Sequence, residues 1–164
     1  MGSALQDSRA PASRERPVTY RGTVYPWHCD QVGHMNVMWY VGKFDEATWN
    51  LFLLAGITPG YLREHRRGMA AVDQHIEYRR ELRAGDVVAI RSEVLAMEAR
   101  KIRFRHEMTN EETGEIAAVT TLLGVHMDTQ ARKACPFPAG IVERGRQLCV
   151  TPAADPPPGP LTHP

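Results

Sequence analysis

A capped helix in the first half of the chain constrains the fold more than any other feature of this sequence. Asn36 is a good N-cap, because its side-chain oxygen can accept from the free backbone N–H groups of a first helical turn. Gly56 is a good stop, since helices often end at a glycine in the left-handed conformation. Between them, residues at helical spacing form a wide apolar face: Val37, Tyr40, Val41, Phe44, Ala47, Thr48, Leu51, Leu54 and Ala55. The narrower polar stripe consists of Lys43, Glu46 and Asn50. Such a helix needs cover on several sides and is typical of the centre of a domain.

The rest of the chain predicts one antiparallel sheet beside this helix. Val18–Val24 is β-prone, and Thr58-Pro59 is typical of a helix start, here opening a short helix over residues 60–67 that ends at Gly68. Alternating polarity predicts a strand over 69–79, and strands over 86–97, 100–110 and 115–127 follow. The last strand is almost continuously apolar, which favours a central place buried on both faces. With a short helix over 139–148, the order β–α–α–β–β–β–β indicates an α+β fold.

Composition bounds the domain and its partners. Residues 1–17 are polar and 150–164 are dominated by proline, which predicts a disordered arm and tail around one domain at 18–149. A net charge of +1 argues against nucleic-acid binding. No apolar leader or membrane-spanning stretch is present, so we expect a cytoplasmic protein without a membrane partner. The 3 cysteines are widely spaced and no H-E-x-x-H or paired C-x-x-C occurs, so we expect neither a disulfide framework nor a metal.

The turn before the helix carries the residues with the clearest chemistry. Asp30 beside a glycine-containing turn is either a turn-former, through a side-chain bond to backbone, or a reactive carboxylate. The helix start gathers unpaired N–H groups and the positive end of the helix dipole, which suits it to stabilise developing negative charge. Gly33 provides either a positive φ or close approach of a ligand to the backbone.

The string CDQVGHMNVMWYVGKFDEAT, which contains these residues, resembles the D-x-x-G-H-x-N-x-x-Y signature of hot-dog-fold acyl-CoA thioesterases of the 4-hydroxybenzoyl-CoA thioesterase-like branch. The match is specific at Asp30, Gly33, Asn36 and Tyr40, and it extends over residues 18–148. The stretch GHMNVMWYVGKFDEAT, with HIEYRRE further on, is similar to betainyl-CoA thioesterases. The resemblance implies a curved antiparallel sheet wrapped around one long central helix, assembled as a dimer or a dimer of dimers.

The same resemblance implies the reaction and its residues. A small acyl-CoA is hydrolysed to a free acid and CoA without a cofactor, CoA being part of the substrate. Asp30 acts as nucleophile or as general base, two roles that the sequence does not separate, and the backbone N–H of Val37 is the oxyanion donor. His34 either lines the pocket or is structural. For Asn36, a role as helix cap is favoured over a role as reactant. Tyr40 either belongs to the core or closes the acyl pocket.

The resemblance also implies a set of weaker candidates, which would contact the substrate. Glu46 is the alternative to Asp30 as the catalytic carboxylate. Otherwise it is a residue of the helix surface that pairs with Lys43 or Asn50. His75 and Glu77 share a strand face with Asp73. They either contact the polar end of the acyl group or are solvated strand residues. The last pair consists of Arg100 and Lys101, which would meet the pantetheine and phosphates of CoA.

Other functions stay open on the sequence. The same fold serves non-catalytic acyl-CoA sensing, and it serves dehydratases or hydratases, whose Asp/His or Glu/His pair this chain lacks in recognisable form. The acyl group is also open. The aromatic residues Trp39, Tyr40 and Trp49 could hold a quaternary ammonium group over their faces, although aromatics at helical spacing are more often core.

Overall fold

The computed structural model describes residues 15–149. In chain order the elements are β1 (Val18–Thr23), a 3-10 turn (Pro26–His28), α1 (Val37–Ala55), α2 (Pro59–Glu64), β2 (Arg67–Tyr78), β3 (Val87–Met97), β4 (Lys101–Asn110), β5 (Ile116–Asp128), β6 (Lys133–Ala134) and α3 (Ala139–Gln147). The predicted disordered arm and tail lie, apart from residues 15–17, outside the described residues. Those three residues adjoin the sheet: Arg16 Nη2 donates to Glu107 Oε1 at 3.2 Å, and the Pro17 carbonyl accepts from the Ser92 N–H at 3.0 Å.

The sheet is antiparallel and has the strand order β1-β3-β4-β5-β2, with the short β6 beside β5. Register shifts interrupt all four long pairings, between Val18 and Tyr20, Ala71 and Asp73, Val94 and Ala96, and Met108 and Thr109. An extra residue in one strand bends it and increases its twist, so these shifts curve the sheet around α1. The predicted hot-dog architecture is confirmed.

The predicted caps of α1 are confirmed in detail. The Asn36 side chain accepts from the backbone N–H of Met38 at 3.0 Å, and the helix ends at Gly56 with φ at 85°. Its buried face packs on the sheet in two clusters. The first joins Tyr40, Phe44 and Ala47 to strand residues such as Ile90 and Met108; the second joins Leu51, Phe52 and Ala55 to residues such as Ile102, Phe104 and Phe137.

The predicted faces of α1 need two corrections. Val37, Val41 and Leu54 belong to the predicted apolar face but are exposed, because the sheet covers only part of the helix. Lys43 belongs to the predicted polar stripe but is only 4% exposed. Its ammonium donates to the Tyr20 hydroxyl at 2.8 Å and lies 5.1 Å from the centroid of that ring. β1 therefore covers this side of the helix, and the aliphatic stem of the lysine packs beneath it.

The strand predictions are correct in place and partly wrong in burial. β5 lies between β4 and β2 as expected. It is buried on both faces only over residues 117–120; from Thr121 on, buried and half-buried residues alternate. The reason is that α1 covers one face of the curved sheet. β5 is also not the last strand, since β6 follows it. The register shift near Val72 interrupts the alternation predicted for the second strand.

A chain of buried polar side chains crosses the core beside α1. Thr19 Oγ1 lies 2.5 Å from Ser92 Oγ, Ser92 Oγ lies 2.6 Å from His106 Nδ1, and His106 Nε2 lies 2.9 Å from Thr48 Oγ1. Thr48 donates its hydroxyl proton to the Phe44 carbonyl at 2.9 Å, so its oxygen must accept from His106 Nε2–H. Burial lowers the pKa of His106 to about 3, so the ring is neutral at ordinary pH. Because the single proton of the neutral ring is on Nε2, Nδ1 accepts from the Ser92 hydroxyl.

Within residues 15–149, none of the helices combines the length and the apolar character that crossing a membrane requires.

Candidate active site

A tight loop before α1 holds the predicted catalytic aspartate. The Asp30 N–H donates to the His34 carbonyl at 3.1 Å, and the Gly33 N–H donates to the Asp30 carbonyl at 3.0 Å. Gly33 has φ at 91°, a conformation that side chains rarely adopt, so the turn requires glycine here. The loop is fixed to the β2–β3 connection by the Met35 N–H, which donates to the Leu82 carbonyl at 2.7 Å.

One amide side chain connects the aspartate to the helix. Asp30 Oδ1 accepts from the Val32 N–H at 2.9 Å, and Asp30 Oδ2 accepts from Asn36 Nδ2 at 3.0 Å. Asn36 Oδ1 in turn accepts from the Met38 N–H at 3.0 Å. These two partners fix the orientation of the amide, because only its NH2 group can face a carboxylate. Asp30 is thus a turn-former through one oxygen, while its other oxygen points toward the helix start.

The first N–H of α1 is free to bind a ligand. The Met38 N–H is used by the Asn36 side chain, and the Trp39 N–H donates to the Asn36 carbonyl at 2.9 Å. For the Val37 N–H, residues 15–149 supply no acceptor. It lies at the positive end of a 19-residue helix, where a fixed donor favours negative charge.

A cavity of about 250 Å³ opens beside this N–H. Its walls come from the helix start and from the end of β2 with the residues that follow it: His34, Met35, Val37, Tyr40, Tyr78, Arg79, Arg80 and Glu81. Neither Asp30 nor Asn36 is among the lining residues; the carboxylate is held by Asn36, which directly precedes the lining residue Val37. The cavity therefore adjoins the helix start, and Asp30 lies one residue contact away, on the other side of Asn36.

Two tyrosines form one corner of the cavity. The rings of Tyr40 and Tyr78 are nearly perpendicular, at 84°, with centroids 5.2 Å apart. The Tyr40 hydroxyl donates to the Arg80 carbonyl at 3.2 Å, and burial raises the pKa of this phenol to about 12. It therefore stays protonated. Tyr40 belongs to the core and also forms a wall of the cavity.

Glu81 was missed by the sequence analysis. Its Oε2 lies 2.9 Å from His34 Nε2, so the two side chains form a pair across the cavity mouth. No local signal could have found this pair, because the two residues are 47 positions apart and meet only when the β2–β3 connection packs against the loop.

The remaining predicted substrate residues lie away from this cavity. Glu46 is exposed on α1, 9 residues after Val37 and about 14 Å further along the axis. Its predicted partners bind elsewhere, since Lys43 donates to Tyr20 and Asn50 donates to the Thr19 carbonyl at 2.7 Å. The predicted pairing of Glu46 with Lys43 or Asn50 is therefore wrong.

His75 and Glu77 are exposed on β2 and do not line the cavity. Glu77 accepts from Arg79 Nη2 at 2.8 Å, a hydrogen bond that lowers the pKa of the carboxyl group. Arg100 and Lys101 lie where β4 begins, whereas the cavity adjoins the region where β4 ends. A strand of 10 residues separates these regions by about 30 Å, so one copy of the chain does not bring them together.

Among the histidines, cysteine and aspartate clustered near the loop, His28 holds the backbone in place. His28 is buried, its Nδ1 accepts from the Tyr25 N–H at 3.1 Å, and its carbonyl accepts from the Asn36 N–H at 2.9 Å. Within the described part of the chain, no set of three His, Cys, Asp or Glu side chains is arranged to hold a metal ion.

Comparison with known proteins identifies the family of this chain. Residues 24–145 match the family described as the thioesterase-like superfamily. The betainyl-CoA thioesterase of Pseudomonas aeruginosa is 21% identical over 130 residues, covering 79% of this chain and 82% of the relative. An L-carnitine dehydrogenase/betainyl-CoA thioesterase of Agrobacterium fabrum is 26% identical over 113 residues, covering 69% of this chain. The match spans only 23% of that longer relative.

Among solved structures, a hypothetical protein of Staphylococcus aureus in complex with CoA is similar in fold. Its TM-score is 0.78 at 16% sequence identity, over 93% of this chain and 99% of the other.

Proposed function

Because this chain belongs to the thioesterase-like superfamily, we propose that it hydrolyses a small acyl-CoA thioester to a free acid and CoA. The observation that carries this proposal is the double role of Asn36. Its amide holds the Asp30 carboxylate while capping α1, and the N–H of Val37 is left without an acceptor among the described residues. A carboxylate and a free oxyanion donor beside a cavity are the groups that attack on a thioester needs.

In the first form of the mechanism, Asp30 is a general base. Its carboxylate takes a proton from a water molecule as the water oxygen attacks the thioester carbonyl. The carbonyl oxygen becomes an oxyanion and accepts from the Val37 N–H; removing such a donor costs about 2.7–4 kcal/mol in a well-studied protease. The C–S bond then breaks, and the CoA thiolate takes up the proton that Asp30 holds.

In the second form, a carboxylate oxygen of Asp30 attacks the thioester carbon itself. The thiolate leaves, and the resulting mixed anhydride is hydrolysed by water to the free acid and the aspartate. Single turnovers in ¹⁸O-labelled water test for the second form. Label that enters the Asp30 side chain indicates an anhydride opened at the aspartyl carbon, whereas label found only in the product acid is expected both of general-base attack and of an anhydride opened at the acyl carbon.

The relatives and the cavity favour a cationic acyl group within this substrate class. The similar Pseudomonas and Agrobacterium proteins are named for betainyl-CoA, whose acyl group ends in a quaternary ammonium. The cavity offers the faces of Tyr40 and Tyr78 and the carboxylate of Glu81. The guanidinium groups of Arg79 and Arg80 bind Glu77 and Glu115. Of the other aromatic candidates, Trp39 stacks on His28 at 4.2 Å, and Trp49 lies about 18 Å along the helix from Val37.

This substrate proposal has a direct test. Betainyl-CoA and tert-butylacetyl-CoA have acyl groups of the same shape and differ in charge. Cation–π contact contributes about 0.5–1 kcal/mol per ring, or about 1–2 kcal/mol for Tyr40 and Tyr78 together. The value of kcat/KM for the cationic ester should therefore be roughly 5- to 30-fold higher than for the neutral ester. Glu81→Gln should reduce that ratio, and Glu98→Gln, an exposed position in the turn between β3 and β4 and outside the cavity lining, should leave it unchanged. Equal kcat/KM values for the two esters would leave thioester hydrolysis standing and remove the cationic acyl group.

We further propose a dimer formed along β2. This strand has 12 residues and, in the described part of the chain, pairs only with β5. An edge strand of this length exposes a row of unpaired backbone groups and is a template for pairing with a second copy. Such a partner would lie beside Tyr78 and Arg79, which line the cavity. Light scattering at micromolar concentration should give the mass of a dimer or a tetramer; a monomer with full activity would contradict the assembly.

We propose the cytoplasm as its location, which the cysteines support. Within the described residues Cys29, Cys135 and Cys149 are free thiols, and unpaired cysteines are typical of reducing compartments. Localisation of a tagged chain in cell fractions tests this directly.

The catalytic assignment is tested by Asp30→Asn. Asparagine keeps the volume and can still form the turn, so the fold should persist while turnover on the best acyl-CoA falls by at least about a hundredfold, the lower range for acid–base catalysis. Asp45→Asn is the matched control, since Asp45 is an exposed carboxylate on the same helix. Near-normal turnover of the Asp30 variant would remove the assignment.

A further inference from the structure

A second cavity, of about 560 Å³, lies at the other end of α1. It is more than twice as large as the first cavity and falls within the range of small-molecule sites. The 19 residues of α1 place it about 28 Å from the Val37 N–H, so the hydrolysis proposed above makes no use of it. Its lining comes from the end of α1, from α2, β2 and α3, and from the segment before α3: Gly56, Tyr61, His65, Arg67, Pro136, Phe137, Pro138, Gly140, Ile141 and Arg144.

Two aromatic residues in the lining, Tyr61 and Phe137, belong to a stack of three rings. The buried ring of His126 lies between Phe137, at a centroid distance of 4.4 Å, and Tyr61, at 6.0 Å. His126 Nδ1 donates to the Cys135 carbonyl at 2.9 Å, so Nε2 accepts from the Tyr61 hydroxyl at 3.0 Å. Burial lowers the pKa of His126, which keeps the ring neutral at ordinary pH. The lining contributed by Tyr61 and Phe137 is therefore uncharged and largely apolar, and His126 stays buried between the two rings.

The ionisable side chains that line this cavity are mostly basic. His65, Arg67 and Arg144 line the cavity, and no Asp or Glu is among its lining residues in the described chain. Arg67 forms an ion pair with Asp128 and is neutralised. The guanidinium of Arg144 has no carboxylate and no hydrogen-bond acceptor among residues 15–149.

Arg144 lies against the end of α1. A Cβ on Gly56 would stand 2.8 Å from Arg144 Nη1, so the close approach of this side chain depends on the glycine. The C-terminus of a helix carries about half a negative charge, which offsets only part of the full positive charge on the guanidinium. The remainder is available to an anionic ligand.

We infer that this cavity binds a small carboxylate with an aromatic body. The aromatic body would pack against Tyr61 and Phe137. The carboxylate would accept from the fork of donors on Arg144, the geometry in which arginine binds carboxylates. The inference stands apart from the proposed hydrolysis, because it concerns a different end of the molecule and is measured by binding.

The test uses the full-length protein labelled with ¹⁵N and two probes, 2-naphthoate and its neutral analogue 2-naphthamide. Naphthoate should cause saturable shifts of the backbone amides around Tyr61, His65 and Ile141, and naphthamide should bind at least tenfold more weakly. Arg144→Gln should lower the affinity for naphthoate about tenfold and leave that for naphthamide unchanged. Arg63→Gln is the matched control, because Arg63 lies on α2 but outside the cavity lining.

Three results would overturn the inference: equal affinity for the two probes, an Arg144→Gln variant that binds naphthoate as tightly as the unmodified chain, or shifts confined to residues 34–40. The last result would indicate binding at the candidate active site instead. The comparison of the two probes on the unmodified chain decides the question even if the Arg144 variant fails to fold.

Discussion

Replacing Asn36 by serine should separate the two functions of this side chain. Serine is also a favourable N-cap, because its hydroxyl oxygen can accept from the Met38 N–H, but it is too short to replace the bond from Nδ2 to Asp30. A hydrogen bond to a charged group contributes about 1.5–3 kcal/mol. Asp30 is half-buried, so water replaces part of the lost bond and the lower figure applies. At 1.36 kcal/mol per decade of rate, Asn36→Ser should lower kcat by roughly tenfold.

Asn36→Ala provides the comparison. It removes the bond to Asp30 and the cap together, and loss of an N-cap costs about 1 kcal/mol of folding stability. For a chain of 164 residues this lowers Tm by about 2–4 °C. Both variants lose the bond to Asp30 and should hydrolyse equally slowly, while the alanine variant should melt about 2–4 °C below the serine variant because it also loses the cap.

Two measurements at one pH check this reasoning: release of the CoA thiol from the best acyl-CoA, and thermal unfolding followed by circular dichroism. Full activity of Asn36→Ser would show that the position of Asp30 does not depend on the amide. An alanine variant as stable as the serine variant would show that the cap contributes nothing.

Two further predictions concern the interior. The pKa of His106 is about 3 in the folded chain and about 6.5 when unfolded, so the unfolded state binds the proton more readily between these values. This contribution to stability is complete above pH 6.5 and falls by up to about 1.4 kcal/mol per pH unit below it. In urea unfolding, the free energy of unfolding should therefore change less between pH 7 and pH 5 for His106→Gln than for the unmodified chain. Tyr20→Phe should lower Tm more than Lys43→Met does. The phenylalanine variant leaves the buried ammonium of Lys43 without the hydroxyl that accepts from it, whereas methionine removes the charge itself. Equal shifts in Tm would contradict this.

The helix and its start were predictable because they depend on local chemistry. The cap at Asn36, the stop at Gly56 and the turn at Asp30 are set by residues within a few positions of one another. Such interactions can be inferred from a short stretch of sequence, and the fold resemblance rests on the same stretch. The strands were also located to within a few residues, since alternating polarity is a local signal.

The features that escaped prediction depend on contacts between distant segments. The His34–Glu81 pair and the burial of Lys43 under Tyr20 both need the tertiary fold before they exist. The same is true of Lys101, which resembles a CoA contact in sequence but lies at the far end of its strand from the cavity. Helical spacing predicts which residues share a face, but it does not tell which face another strand will cover.

The direction of the hydrogen bonds around His106 makes this residue a spectroscopic reporter of the packing of α1. The ring carries its proton on Nε2 only because Thr48, on the helix, offers an oxygen whose own proton is committed to Phe44. The two tautomers of histidine give distinct ¹⁵N resonances, so one ring nitrogen would report whether the helix is seated on the sheet. Loss of the helix from its place would free the ring to exchange tautomers and would merge the two signals. Local detachment of α1 could then be followed in samples whose overall secondary structure is unchanged.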